Sequence, residues 1–359
     1  MDEKWKTEIS TPALVINYQL MEKNIKTMAK FAKEHNIALR PHVKTHKCPK
    51  IGKMMLDAGA NGICVAKVGE AEVFVKEGFK DILIANQVID LGQVQRLIEL
   101  NKKSLVRVVV DSEKNVRDLN KAAQKKGINL EVVLEVDVGL GRSGVQPGEE
   151  ALKFADFLKT QDHLKLAGLQ GYEGHLISIF DDELRKQKAK DCMQLLVDTR
   201  DLLNQNGYEI SYLTGGNTTT YRFSGAHEGI TEIQPGTYIF NDEHHFKMCP
   251  EFEIAAIVLT AITNIRSKRI YSIDAGLKAV TNDNGNPVFK DYPKSKIMVL
   301  TEEHSIVRVG PKDSFELGEK VALIPTHICT TVNLYDFFTV VKDGDVVEKW
   351  EVSARGKNY

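Results

Sequence analysis

Apolar positions along the chain change period several times. The segments IALRPHVK, NGICVA, DILIAN, LVRVVVD, LEVVLEVD, LKLAGLQGY, ISYLTGG and ITEIQPG are short β-rich runs. Between them, Gln19 to His35, Lys114 to Lys126 and Glu183 to Asn206 repeat apolar residues at three- and four-residue intervals, as helices with one buried face do. This alternation predicts parallel strands joined by crossover helices. Eight repeats within about 220 residues fit a (β/α)8 barrel of the TIM type better than a doubly wound sheet. After residue 246 the helical period stops. FEIAAIVLTAI, RIYSID, KIMVLT, SIVRVG, KVALIP and FFTVVKDGDVVEKW read as antiparallel strands, with Asn284-Gly285 and Asp343-Gly344 as hairpin turns. The expected division is a barrel over residues 14–246 and a β-rich domain that comprises 247–359 together with the N-terminal segment 1–13 and carries the candidate metal ligands.

Composition narrows the function classes. The 359 residues are 42% hydrophobic and 27% charged, which describes a globular chain with ample core. Lys and Arg number 48 and Asp and Glu 49, so no basic field favours nucleic acid or an anionic membrane surface, and a small molecule is the expected partner. MDEKWKTEIS has no apolar signal core and no apolar run is long enough to span a bilayer, so a cytoplasmic protein is expected. Five scattered cysteines fit a reducing compartment, where they do thiol or metal chemistry.

Unusual polar and glycine residues gather just after the proposed strands, at the catalytic face of a β/α barrel. Strand one is followed by Pro41-His42-Val43-Lys44-Thr45-His46-Lys47 and strand five by Asp137-Val138-Gly139-Leu140-Gly141-Arg142. Strand six leads into Gln170-Gly171-Tyr172-Glu173-Gly174-His175 and strand seven into Thr214-Gly215-Gly216-Asn217-Thr218. With Gly236-Thr237-Tyr238 after strand eight, the seventh loop forms a plausible phosphate cup of backbone N–H and hydroxyl donors. His327 and Cys329 are one residue apart. If extended, that segment would project both side chains from one face to grip a soft divalent ion, zinc before others; a buried structural pair is the plainer alternative. The contiguous Asp242-Glu243-His244-His245 suits a solvated turn rather than a metal cage.

RPHVKTHK closely resembles the lysine motif of the fold-type III pyridoxal-phosphate enzymes in the D-threonine aldolase and D-serine dehydratase group. TPALVINYQLMEKNI, DVGLGRSGV, GLQGYEGH, QPGTYIF and PTHICTTVNLYD extend the resemblance over almost the whole chain. It implies an alanine-racemase-like barrel with a C-terminal β domain, a homodimer, and pyridoxal 5'-phosphate held as a Schiff base on Lys44, with Lys47 a bystander. Lys44 would then also serve as the base at the substrate's α-carbon. Arg142 would hydrogen-bond the cofactor's phenolic oxygen. Thr214, Gly215, Gly216, Asn217, Thr218, Gly236, Thr237 and Tyr238 would surround the phosphate, and Gln170 or Tyr172 would face the pyridine ring. His175 would be an acid or base near the substrate hydroxyl, or a packing residue.

The same resemblance makes His327 and Cys329 ligands of a catalytic zinc. His-x-Cys is similar to the dehydratases and points to elimination from a D-serine or 3-hydroxy-D-aspartate type substrate, giving a 2-keto acid and ammonia. GLQGYEG is similar to the aldolase and hydroxyaspartate branch, which leaves retro-aldol cleavage of a D-threonine type substrate as the alternative. An amino-acid racemase or a non-catalytic cofactor carrier would need no metal.

Overall fold

The computed structural model describes residues 4–359, which fall into two compact units. One comprises Met28–Lys44, Ile51–Gly236 and Lys357–Tyr359. The other comprises residues 4–27, Thr45–Lys50 and Thr237–Gly356.

In the first unit, all eight expected strands are present: Ala38–Leu39, Ile63–Val65, Asp81–Gln87, Leu105–Val110, Leu130–Glu135, Leu164–Gly171, Leu213–Gly215 and Glu232–Ile233. Neighbours pair in parallel, and the last pairs with the first. A parallel bridge between His42 and Cys64 joins the first strand's extension to the second strand and closes the ring. Helices cover the outside, so strands such as Leu130–Glu135 are buried at nearly every position, which is why they read as continuous apolar runs. The helices start and stop where local chemistry requires. Ser112 caps Glu113–Lys126 by accepting from Asn115 N, and Gly127 ends it in the left-handed region at φ 63°. That helix turns Val116, Leu119, Ala122 and Ala123 inward, a three- and four-residue spacing.

An ion pair is buried at the N-terminal ends of the barrel strands, away from the catalytic face. Arg40 Nε lies 2.9 Å from both carboxylate oxygens of Glu232, with the two side chains 3% and 2% exposed. Asp81 takes a second edge of the guanidinium, and Tyr212 and Thr214 hydroxyls complete the Glu232 carboxylate. Removing one partner of such a pair strands the other charge in a low-dielectric core. Glu232→Ala is therefore expected to lose about 3–5 kcal/mol of unfolding free energy, measured by denaturant titration.

In the second unit, nine strands form one sheet. Ile270–Ile273 pairs with both Ser305–Arg308 and Ala256–Ser267, so six strands close on themselves. Ala13–Asn17 lies between Ala256–Ser267 and Phe337–Lys342, and Asp345–Glu351 forms the edge. The hairpin before that edge turns at Asp343 and Gly344, both at positive φ, as expected for this residue pair. No helix among the described residues is long and apolar enough to cross a membrane.

Candidate active site

The first barrel strand runs through Arg40 and Pro41 into a 3-10 turn, Val43–Thr45, that carries Lys44. Lys44 is half-buried and makes no ion pair among the described residues; its Nζ lies 5.9 Å from the centroid of the Tyr172 ring. Arg142 brings its guanidinium carbon to 5.4 Å from the same ring and 3.8 Å, by Nη2, from Glu135 Oε1. Two cations thus approach one aromatic ring, a favourable arrangement that fixes Tyr172 without neutralising either charge. The loop that carries Arg142 is shaped by Asp137, whose Oδ1 accepts from Gly139 N and Gly141 N at 3.0 Å each. Burial pushes the Glu135 carboxyl up, and hydrogen bonding from Gln87 with the charge of Arg142 only partly pulls it back. An amine with no carboxylate partner, held at a barrel mouth, is suited to condense with an aldehyde.

His175 lies on the turn Gly174–Ser178. Its Nδ1 is buried without a hydrogen-bond partner, and its Nε2 is 4.0 Å from Cys192 Sγ. Burial pushes the Cys192 thiol up to about 12, which keeps it a neutral S–H group. One imidazole nitrogen is thus left without a protein partner. Gln170 accepts from Gln234 Nε2 at 3.0 Å, and the same nitrogen donates to Thr214 Oγ1 at 2.8 Å. Thr214 in turn donates to Glu232, so its hydroxyl is occupied inside the barrel.

The 215–220 loop needs both of its glycines. A Cβ on Gly215 would meet Gly171 O at 2.5 Å, and Gly216 has φ 76°. Asn217 Oδ1 accepts from Thr219 N and Oγ1 at 2.8 Å each, while its Nδ2 is buried without a partner. An orphaned buried donor in a glycine loop fits an anionic group such as a phosphate. Thr218 is buried in the same loop. Glu173, for which the sequence suggested no role, is fully buried and accepts from Gly216 N, Thr220 Oγ1 and Ser224 Oγ. Its only sequence signal was an acidic residue enclosed in GYEGH. Gly236 ends the long segment Ile51–Gly236 of this unit.

In the other unit, Thr237 and Tyr238 begin the turn Thr237–Ile239, with Tyr238 buried against Phe252 at 5.6 Å. His327 and Cys329 do not share an extended segment. His327 is extended but caps the short helix Ile328–Val332, whose first turn carries Cys329. The two side chains nevertheless hydrogen-bond each other. His327 Nδ1 bonds to the Asp283 carboxylate, which also accepts from Thr330 Oγ1 at 2.9 Å. Burial disfavours the charged His327 ring, but Cys329 and Asp283 outweigh it and raise its pKa to about 10. Thr45 Oγ1 and Thr237 Oγ1 lie 3.3 and 3.7 Å from Cys329 Sγ.

The 242–245 stretch is not a solvated turn. Asp242 is fully buried, accepts from His245 N and Nδ1, and takes Ile328 N–H at 3.1 Å, which anchors the helix bearing Cys329. A histidine whose Nδ1 is committed to a carboxylate presents Nε2 as a ligand, and a thiol beside it suits a soft divalent cation. Among the described residues no group of three or more His, Cys, Asp or Glu side chains gathers as a metal cage.

Residues 16–244 match the family model for the alanine racemase N-terminal domain, and residues 255–341 match one for a serine dehydratase domain. The chain is 34% identical to the D-threonine aldolase of Arthrobacter sp over 97% of this chain and 93% of that one. It is 33% identical to the 3-hydroxy-D-aspartate aldolase of Paracoccus denitrificans (strain Pd 1222) over 100% and 95% of the two. Among solved structures, the D-threonine aldolase from Filomicrobium marinum superposes with a TM-score of 0.95 at 35% identity, covering 98% of this chain and 97% of that one.

Proposed function

Since the chain belongs to the alanine-racemase-like family of pyridoxal-phosphate-dependent lyases that includes D-threonine aldolases and D-serine dehydratases, we propose that it cleaves a D-configured 3-hydroxy amino acid at Lys44. The observation that carries this reading is the Lys44 amine, free of any ion pair, beside Tyr172 and Arg142 at the barrel mouth.

Bound pyridoxal phosphate supplies an aldehyde for the substrate amine and a ring that accepts the electron pair released at Cα. Lys44 Nζ would be the amine that holds the cofactor, and its side chain would be placed to move a proton at the substrate's Cα. Arg142 would donate to the cofactor's phenolic oxygen, a role suited to a permanently protonated guanidinium. Gln170 and Tyr172 border the ring. Gly215, Gly216, Asn217 Nδ2 and Thr218 would hold the phosphate, with Gly236, Thr237 and Tyr238 added by the family resemblance; the Thr214 hydroxyl, already engaged by Gln234 and Glu232, would contribute only shape. His327 and Cys329 would hold a divalent cation, zinc by the softness of the thiolate, and such an ion would supply Lewis acidity for a substrate oxygen.

For the bond broken, whole-chain similarity to two aldolases favours retro-aldol cleavage. His175 takes the β-hydroxyl proton, the Cα–Cβ bond breaks, an aldehyde leaves, and protonated Lys44 gives a proton to Cα to form glycine, the proton held by His175 making good the one Lys44 gave. Cys329 favours the second reading, elimination. There Lys44 removes the Cα proton, the C–O bond breaks, the leaving hydroxide takes up that proton to depart as water, and the freed enamine is hydrolysed by water to a 2-keto acid and ammonia. A homodimer in the cytoplasm accords with either reading.

The test is product analysis with D-serine, D-threonine and D-threo-3-hydroxyaspartate, on protein loaded with pyridoxal phosphate, before and after chelation and zinc addition. Glycine with an aldehyde is the expected outcome, and 2-keto acid with ammonia selects the elimination. Racemised substrate alone, or no product from any of the three, overturns the lyase assignment.

A further inference from the structure

We propose that Glu173 is a positioning residue for the cofactor's phosphate, acting through the backbone of the 215–220 loop; this rests on the Lys44 reading above. Glu173 has no exposed surface and no ion pair among the described residues. A buried carboxylate without a cation must be held by hydrogen bonds, and every one it has comes from a single stretch of chain. Gly216 N donates to Oε2 at 3.2 Å, while Thr220 Oγ1 and Ser224 Oγ donate to Oε1 at 2.6 Å each. These donors bracket the loop: Gly216 at its start, Thr220 at its end, Ser224 in the helix Tyr221–Ser224 that follows.

Other contacts take up the slack inside the bracket. Thr220 Oγ1 receives Asn217 N at 3.0 Å, Asn217 Oδ1 receives Thr219 N and Oγ1, and Arg185 Nε donates to Thr219 O at 3.1 Å from a fully buried position. The one polar side-chain atom of Asn217 without a partner is Nδ2. The network thus spends the loop's acceptors internally and leaves a donor for an anion, the chemistry a phosphate monoester requires.

A carboxylate near a dianion would weaken binding if its charge alone mattered, so the sign of a neutralising substitution decides the role. Glu173→Gln keeps the shape but has one acceptor oxygen. If that oxygen serves Thr220 and Ser224, the amide NH2 confronts Gly216 N–H, donor against donor, and the loop must shift.

The experiment compares dissociation constants for pyridoxal 5'-phosphate and for pyridoxal, which lacks the phosphate, by absorbance titration of the wild-type, Glu173→Gln and Ser224→Ala proteins. Glu173→Gln is expected to weaken pyridoxal 5'-phosphate binding by about tenfold or more while pyridoxal binding stays nearly constant. Ser224→Ala, which leaves the carboxylate two donors, is expected to move the same ratio less. An unchanged or increased preference for the phosphorylated form overturns the proposal; if Glu173→Gln fails to fold, Ser224→Ala and Thr220→Val decide by the same ratio. Borohydride reduction of the wild-type complex, followed by peptide mapping, tests the premise separately. Label absent from Lys44 overturns the cofactor reading and this inference with it, whereas label on Lys44 with an unmoved ratio overturns this inference alone.

Discussion

Lys44→Ala is expected to lose the visible absorbance of protein-linked pyridoxal phosphate and to reduce lyase turnover by at least about 10³-fold, since it removes both the covalent anchor and the base at Cα. The fold should survive. Lys44 is only half-buried, and among the described residues its side chain has no hydrogen bond or ion pair to lose, only a long contact with the Tyr172 ring, so stability should change by no more than about 1 kcal/mol in a thermal or denaturant melt. The contrast is Lys47, buried at 6% exposure with φ 51° and a carbonyl that accepts from Ala354 N. Lys47→Ala should keep the absorbance. A wild-type spectrum in Lys44→Ala would remove the cofactor assignment, because no other property of this residue produces that band.

The second large effect concerns the metal pair. Cys329→Ala is expected to lose bound divalent metal and about 10²-fold or more in lyase activity while keeping the cofactor absorbance unchanged. Asp283→Ala leaves both ligands in place but frees the His327 ring to turn, so metal affinity should fall by about 10–100-fold. Metal content by elemental analysis, read beside the cofactor spectrum, separates these outcomes from general misfolding. Full activity of Cys329→Ala in chelated, metal-free buffer would show that this pair has no part in the reaction.

Legibility in the sequence tracked how local the determining interaction is. Eight barrel strands and the helices between them were readable because each is a short segment whose burial pattern follows from its own period. Strand Ala13–Asn17 was not. The short apolar run Ala13–Ile16 is too brief to name a sheet, and its partners lie at Ala256–Ser267 and Phe337–Lys342, far along the chain. Lys44, Arg142, His327 and Cys329 stood out as reactive residue types in tight motifs.

Glu173, Asp283 and Glu232 did not stand out, because an isolated carboxylate reads as solvated surface. Each is instead satisfied by donors that the fold brings to it. Asp283 meets His327 across 44 positions, and Glu232 meets Arg40 across 192. The Asp242 cluster was misread for the same reason, since nothing in DEHH announces that Ile328 N–H will cap it.

By itself the sequence determined the order of elements, the two architectures they build, the family, and the nucleophilic and thiol groups available, because period, turn residues and reactive side chains are written locally. Only the tertiary structure decided which carboxylates are buried, which donors they hold, and which polar atoms, Asn217 Nδ2 and His175 Nδ1, are left without a partner. The reason is physical. A charge or donor is costly or cheap according to its neighbours in space, and those neighbours are chosen by long-range packing rather than by the residues beside it in the chain.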